Sequence, residues 1–288
     1  MIRRGSLSHS QNTPLRCYKG DLMIQAYTLF SGSSGNCIYI KDNCTEILID
    51  AGKSAAAIEK SLTSLGSSIR NIDAIFLTHE HSDHFVGLEI ISKKYHIPVH
   101  MTERSYRRAV HQGSFVSQCA SCHDTHYSES VGTLTLKSFA IPHDSAQNVG
   151  YVIEKSEHEV FGVATDIGYV TEEMVKSLSL CERIILESNH DKYMLIGGRY
   201  PEFLKQRILS DGGHLSNDDC AELSCILAEK GVRSITLAHL SEENNTPELA
   251  YETTRSALDA HGFESVNLNV ASPCETVCVM PQTVKSEE

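Results

Sequence analysis

The chain has 288 residues, 41% of them hydrophobic and 22% charged, with no Trp and a formal net charge of −12. A chain of this size folds as one large or two small globular domains, and its acidic balance excludes a broad electrostatic grip on nucleic acid or on a membrane surface. No run of about 18 apolar residues occurs, so no membrane-spanning helix is predicted. Residues 1–22 are polar and aperiodic and lack an apolar h-region, which predicts a loosely ordered extension rather than a secretory signal. Met23, which opens a strand-like run, is an alternative start. Ten cysteines without such a signal predict free thiols and a reducing, cytoplasmic setting.

In chain order, short apolar runs predict strands at 24–30, 37–40 and 46–49. Between the first two lies SGSSGN (31–36). A strand follows it where a dinucleotide-binding loop needs a helix, so it reads as a hairpin turn. A helix is predicted at 55–65, after Asp50-Ala51-Gly52. The wholly apolar run 74–77 predicts a strand buried on both faces, and a helix is expected over 85–95. Strands return at 134–140, 150–153 and 160–164. Helices at 172–177, 201–209, 218–230 and 247–260 then accompany strands at 183–186, 234–238 and 265–270, before a polar tail at 281–288.

Most cysteines fall where core residues are expected: Cys37 and Cys44 flank a strand, and Cys220 and Cys225 lie on a helical pattern. CASCH (119–123) matches the spacing of c-type haem attachment, which requires an exported chain. Chance spacing is preferred here to a small metal site drawn from Cys119, Cys122, His123 or His126. Two cationic segments run against the overall charge. Arg104, Arg107 and Arg108 meet no acid before Asp124, and Lys192, Arg199, Lys205 and Arg207 face only Glu202. A solvated face or loop explains either cluster; the functional alternative is a pair of patches that track a phosphate backbone.

THEHSDH (78–84) concentrates His79, His81 and His84 with Glu80 and Asp83. Residues two apart on extended backbone point to one side, so His79 and His81 can reach one ion. Asp83 and His84 follow as the chain turns into a helix. Imidazole with carboxylate suits zinc, and also iron or manganese. The donors exceed what one tetrahedral ion needs, which hints at two. Further donors are expected just beyond apolar strands, at His143, Asp166 and His239. Ligands at the ends of several strands converge on one sheet rim, where sites usually lie.

His79-x-His81-x-Asp83-His84, followed by His143, Asp166 and His239, resembles the ligand set of the metallo-β-lactamase superfamily, in order and spacing over residues 23–279. Within it, FSGSSGN (30–36), IPHD (141–144), ATDIG (164–168), ESNHD (187–191), GHLSN (213–217) and LAHLSEENN (237–245) are similar to the YycJ/WalJ subfamily. Phe30 stands where that subfamily usually has Gly, a departure that touches the hairpin and not the donors. The resemblance implies an α/β fold, a four-layer αββα sandwich, as a single domain over 23–280. It implies two divalent ions along one edge, zinc foremost, with manganese or iron as alternatives. His79, His81 and His143 would hold the first ion, Asp83, His84 and His239 the second, and Asp166 would bridge them. Family members are similar to tRNA 3′-processing nucleases, and the subfamily is associated with DNA exonuclease activity. Two cations about 3.5–4 Å apart acidify a bridging water and supply hydroxide near neutral pH, and they neutralise charge on a phosphoryl oxygen.

Around that set, Asp50 is equally readable as an acceptor that orients the histidine loop or as an ordinary strand-ending Asp. His214 directly precedes a helix, and Ser216 with Asp219 resembles a capping box with Asp in place of Glu. Helix N-termini attract phosphate, so His214 is expected to hold a phosphate or to protonate a leaving oxygen, with an ordinary loop histidine as the alternative. His190 is expected near the site, either touching substrate or supporting it. Asp83 and His214 are thus the expected catalytic residues, and His190, Ser216, Arg199 and Lys205 the expected substrate contacts. The expected activity is that of a metal-dependent phosphodiesterase on nucleic acid, foremost a 5′→3′ DNA exonuclease. An RNA nuclease, a thioester hydrolase of the same fold and a non-catalytic metal-binding module are the alternatives.

Overall fold

A computed structural model of the chain describes residues 23–112, 119–156 and 159–279. The extension expected at 1–22 and the tail expected at 281–288 lie outside the described residues. The first part supplies β1 (Gln25–Phe30), β2 (Cys37–Lys41), β3 (Glu46–Ile49), β4 (Ala74–Phe76), β5 (Val99–Thr102) and β6 (Ala120–His123), with α1 (Ala55–Ser64), α2 (Ser82–Phe85), α3 (Leu88–Tyr95) and α4 (Glu103–His111). The strands β7 (Ser128–Val131), β8 (Leu134–Ile141), β9 (Asn148–Ser156), β10 (Glu159–Ala164), β11 (Arg183–Glu187), β12 (Ser234–Ala238) and β13 (Asn267–Val270) follow. With them come α5 (Glu172–Leu178), α6 (Lys192–Gly197), α7 (Glu202–Ile208), α8 (Asn217–Glu229) and α9 (Pro247–Ala260), and β14 (Val277–Cys278) closes the described chain.

These strands form two seven-stranded sheets, ordered β14-β1-β2-β3-β4-β5-β6 and β13-β12-β11-β10-β9-β8-β7. One apolar cluster joins Ile38, Ile49 and Phe76 of the first sheet to Val149, Phe161 and Ile185 of the second, so the sheets pack face to face. A second cluster seats Ile58, Leu62, Leu88 and Ile91, from α1 and α3, on the outer face of the first sheet. A third seats Met174, Leu178, Leu223, Leu227 and Leu258, from α5, α8 and α9, on the second. The result is the αββα layering that the sequence implies. Strand β4 lies parallel between β3 and β5 with every residue buried, which explains why it reads as one apolar run. Strands β10 to β13 are also parallel, so their C-terminal ends share one rim.

Two expectations need correction. The helix expected over 85–95 is broken into α2 and α3 at Gly87, where a Cβ would lie 2.2 Å from the Lys53 carbonyl oxygen. The close approach of two chain segments, not helix propensity, sets that break. Strands β5, β6, β7 and β14 and helices α4 and α6 also go unpredicted. The short β6 (ASCH) and β7 (SESV) are polar sheet-edge strands with no apolar period.

Candidate metal centre

Three residues at the rim carry side chains on left-handed backbone: Asp50 after β3 (φ 62°), Asp166 after β10 (φ 60°) and His239 after β12 (φ 56°). Such a conformation costs a non-glycine residue about 1–3 kcal/mol and persists only where its surroundings enforce it. Here they do. The Asp50 amide donates to the Phe76 carbonyl at 2.9 Å, the His239 amide to Ser31 Oγ at 2.8 Å, and Asn148 Nδ2 to the Asp166 carbonyl at 2.9 Å. Each strand thereby turns sharply at the rim. Strand β4 leads through Thr78–Glu80 to His81, which is extended (φ −66°, ψ 149°) and stands at the N-cap position of α2, whose short turn carries Asp83 and His84.

The seven donors singled out from the sequence lie together. Ligand atoms of His79, His81 and His143 lie within 4.8 Å of one another, as do those of Asp83, His84 and His239, and those of His79, His84 and Asp166. His143 Nε2 is 3.3 Å from His81 Nδ1. Asp166 reaches both groups: its Oδ1 is 3.9 Å from His143 Nε2 and 3.5 Å from His239 Nδ1, while its Oδ2 is 3.2 Å from His84 Nε2.

The second ring of contacts sets which nitrogen each histidine presents. His143 Nδ1 donates to the Gly213 carbonyl at 3.0 Å, His84 Nδ1 to Asp50 Oδ2 at 2.8 Å, and His239 Nδ1 to Glu187 Oε1 at 2.8 Å. In each case Nε2 is the nitrogen turned toward the centre, where His84 Nε2 also meets Asn36 Nδ2 at 3.0 Å; a held Nδ1 is the arrangement that orients imidazole for a cation. Asp50 also accepts from the Thr78 amide at 2.8 Å, so the geometry favours the orienting reading of this residue over a plain strand ending.

The charge balance also calls for cations. Asp50, Asp83, Asp166 and Glu187 converge in a largely buried cluster. Burial alone would raise the Asp166 carboxyl, but His239 and His84 hold it well below the usual range. Glu187, likewise buried, is held at about 2 by His214 and His239. Burial would lower His239, yet Asp166, Asp83 and Glu187 push it up to about 10. Without metal, imidazolium supplies the missing positive charge. His79 Nε2 is a buried atom with no hydrogen-bond partner, while Asp166 Oδ2 and His239 Nε2, also buried, have only the ion-pair contacts with His84 at 3.2 Å and Asp83 at 3.6 Å. Each such atom costs about 1–3 kcal/mol unless something else satisfies it. Nitrogen and carboxylate donors of this type suit a divalent transition metal, so the residues present fit the ions that the fold implies.

Glu187 is the residue that sequence reasoning missed. It is fully buried and accepts four hydrogen bonds, from His214 Nδ1 at 2.9 Å, His239 Nδ1 at 2.8 Å, the Ile167 amide at 2.7 Å and the Leu215 amide at 3.0 Å. Its available signal is an acid that closes the apolar strand RIILE, the position type that singled out His143, Asp166 and His239.

The remaining expected residues divide. His214 lines a cavity of about 200 Å³ together with Asp83, Asp166, His239, Tyr200 and Arg207. Ser216 is buried and serves as the N-cap of α8, accepting from the Asp219 amide at 3.2 Å. His190 is 1% exposed, and neither ring nitrogen has a partner. Its backbone bridges Ser216, and it does not line the cavity. Lys205 does not line the cavity either; its Nζ donates to the Ile196 carbonyl at 2.6 Å. Arg199 lines a neighbouring depression. The cation of this segment that faces the centre is Arg207, held by Asp144 through Nε and, at 3.1 Å, through Nη2.

In the CASCH segment, His123 Nε2 meets His100 Nδ1 at 3.1 Å with ring planes 18° apart, a hydrogen-bonded imidazole pair across β5 and β6. His126 pairs with Glu173 at 2.6 Å. Among the described residues, no close group of three donors includes Cys119 or Cys122.

Two packed sheets between helical layers, with imidazole and carboxylate donors gathered at one rim, define a protein of the metallo-β-lactamase fold, and this fold implies divalent metal ions. A family described as "Beta-lactamase superfamily domain" matches residues 45–239, and the chain belongs to that superfamily. It is 34% identical over 236 residues to a Bacillus anthracis protein named exodeoxyribonuclease YycJ, covering 82% of this chain and 89% of the relative. It is 35% identical over 228 residues to exodeoxyribonuclease WalJ of Streptococcus pneumoniae, covering 78% of this chain and 84% of the relative. Among solved structures, the metallo-β-lactamase fold protein YhfI from Bacillus subtilis matches with a TM-score of 0.65 at 13% identity, covering 88% of this chain and 99% of that one. The short form of human tRNase Z matches with a TM-score of 0.59 at 14% identity, covering 89% and 100%. At such identities these structures show the fold alone. Among the described residues, no helix is long and apolar enough to cross a membrane.

Proposed function

We propose that the chain is a metal-dependent phosphodiesterase that degrades DNA as a 5′→3′ exonuclease, using two divalent ions, zinc foremost. The observation that carries this reading is the pair of donor groups, His79, His81, His143 and Asp83, His84, His239, with Asp166 reaching both. The names of the relatives support nucleic acid as the substrate.

When bound at these donors, the ions supply an acidified water as nucleophile and neutralise developing phosphoryl charge. The chain's own groups do the rest. Arg207, anchored by Asp144, offers a guanidinium to a non-bridging phosphate oxygen at the cavity mouth. Glu187 grips His214 Nδ1, which turns the opposite edge of the ring toward the cavity and orients it to pass a proton to the leaving oxygen. Asp83, at the start of α2, accepts from Asn36 Nδ2 at 3.3 Å and is thereby held toward the centre.

The test is incubation of purified protein with Mn²⁺ or Zn²⁺ and DNA labelled at either end, RNA, or a generic thioester. Release of nucleotides from the 5′ end of DNA, abolished in His81→Ala, is expected. Cleavage of RNA or thioester in preference to DNA would overturn the DNA assignment. Equal inactivity of wild type and His81→Ala on all three would point to a non-catalytic metal-binding module.

A further inference from the structure

The segment carrying α6 and α7 is unlike the rest of the surface. It leaves Tyr193 86% exposed, Phe203 73% and Ile196 62%, three of the four most exposed large apolar side chains among the described residues. The segment 192–207 carries four cations, Lys192, Arg199, Lys205 and Arg207, with one acid of its own, Glu202, on a chain whose net charge is −12; in the fold Lys192 pairs with Asp219 at 3.2 Å and Arg207 with Asp144, which leaves Arg199 and Lys205 for a phosphate chain. Tyr193, Arg199, Tyr200 and Glu243 line an open depression of about 1040 Å³. Tyr200 also lines the cavity over the metal donors, beside Leu204 and Arg207. The depression and the reaction cavity therefore meet at one side chain.

Exposed aromatic rings interleaved with cations are costly to keep in water and fit a chain of stacked bases linked by phosphates. A paired duplex hides its base faces, whereas a single strand offers them. We infer that the α6–α7 arm is a single-strand track. Tyr193 and Phe203 stack unpaired bases of the strand that leaves the metal centre, Tyr200 marks the exit, and Arg199 and Lys205 follow the phosphates. This inference rests on the nuclease reading and adds the substrate's form: an unpaired stretch of several nucleotides.

The test compares wild type with Tyr193→Ala/Phe203→Ala on single-stranded oligonucleotides of two and twelve nucleotides. Stacking contributes about fivefold to more than a hundredfold in affinity per base. The double variant should therefore raise KM for the longer strand at least tenfold, leave kcat within about twofold, and erase the wild-type preference for the longer strand. Tyr193→Phe should retain wild-type KM. A KM for the longer strand within about threefold of wild type would overturn the track while leaving the nuclease reading intact. So would a double variant that changes the chain's oligomeric state and not its KM, since the arm would then be a contact between copies. A wild type that hydrolyses thioester but no oligonucleotide would remove both readings.

Discussion

Replacing Glu187 with Gln tests the orienting ring around the donors. The carboxylate uses Oε2 for the Ile167 and Leu215 amides and Oε1 for the Nδ1 atoms of His214 and His239. An amide has one oxygen. If that oxygen keeps the two backbone donors, the NH2 group faces both imidazoles and obliges them to accept at Nδ1. The proton then moves to Nε2, and His239 loses the lone pair it would offer to a cation. Removing an outer partner of a metal-binding histidine costs about 10–100-fold in metal affinity, or about 1.4–2.8 kcal/mol. The agreement with the worth of a hydrogen bond to a charged group, about 1.5–3 kcal/mol, is independent support for that range. Chelator competition on wild type and Glu187→Gln gives the affinity, and circular dichroism verifies the fold. A folded variant whose metal affinity stays within about twofold of wild type would refute the reasoning.

Other consequences follow from the same geometry. His239 is raised to about 10, chiefly by Asp166 acting against burial. Its contribution to stability is therefore fully present below the ordinary imidazole value of about 6.5 and is lost as pH rises toward 10. Chelator-treated protein should show a falling urea midpoint between about pH 6.5 and pH 8.5, and a rising one would contradict this charge balance. In Gly52→Ala the new Cβ would lie 1.6 Å from the Asp83 carbonyl oxygen. Urea unfolding and elemental analysis should show a loss of about 2–4 kcal/mol together with lost metal, whereas Gly197→Ala, which meets nothing within 4 Å, should leave metal content unchanged. Arg207→Ala should raise KM for oligonucleotides about 10–100-fold with unchanged metal content; unchanged KM would remove Arg207 from phosphate binding.

The layering and the donors were legible in the sequence for separate reasons. Strands such as β4 and β12 are short apolar runs because parallel strands are buried on both faces. Polar residues just beyond apolar strands, His143, Asp166 and His239, stand out because the rim is where backbone leaves the core. Glu187 belongs to the same class, but no local pattern indicates that one carboxylate serves two histidines 27 and 52 residues away. Arg207 was indistinguishable from Lys205 because helix phase decides which one faces the cavity. The left-handed backbone at Asp50, Asp166 and His239 was likewise hidden, since it arises from contacts such as Ser31 with His239, 208 residues apart. Ser216 shows the converse: a hydroxyl that invites a substrate role is already occupied by its helix cap.

Anomalous diffraction from a metal-loaded crystal tests the central claim most directly. Two cation peaks about 3.5–4 Å apart are predicted, one beside His79, His81 and His143 and the other beside Asp83, His84 and His239, with Asp166 touching both. A single peak, or cations bound away from these seven side chains, would contradict it.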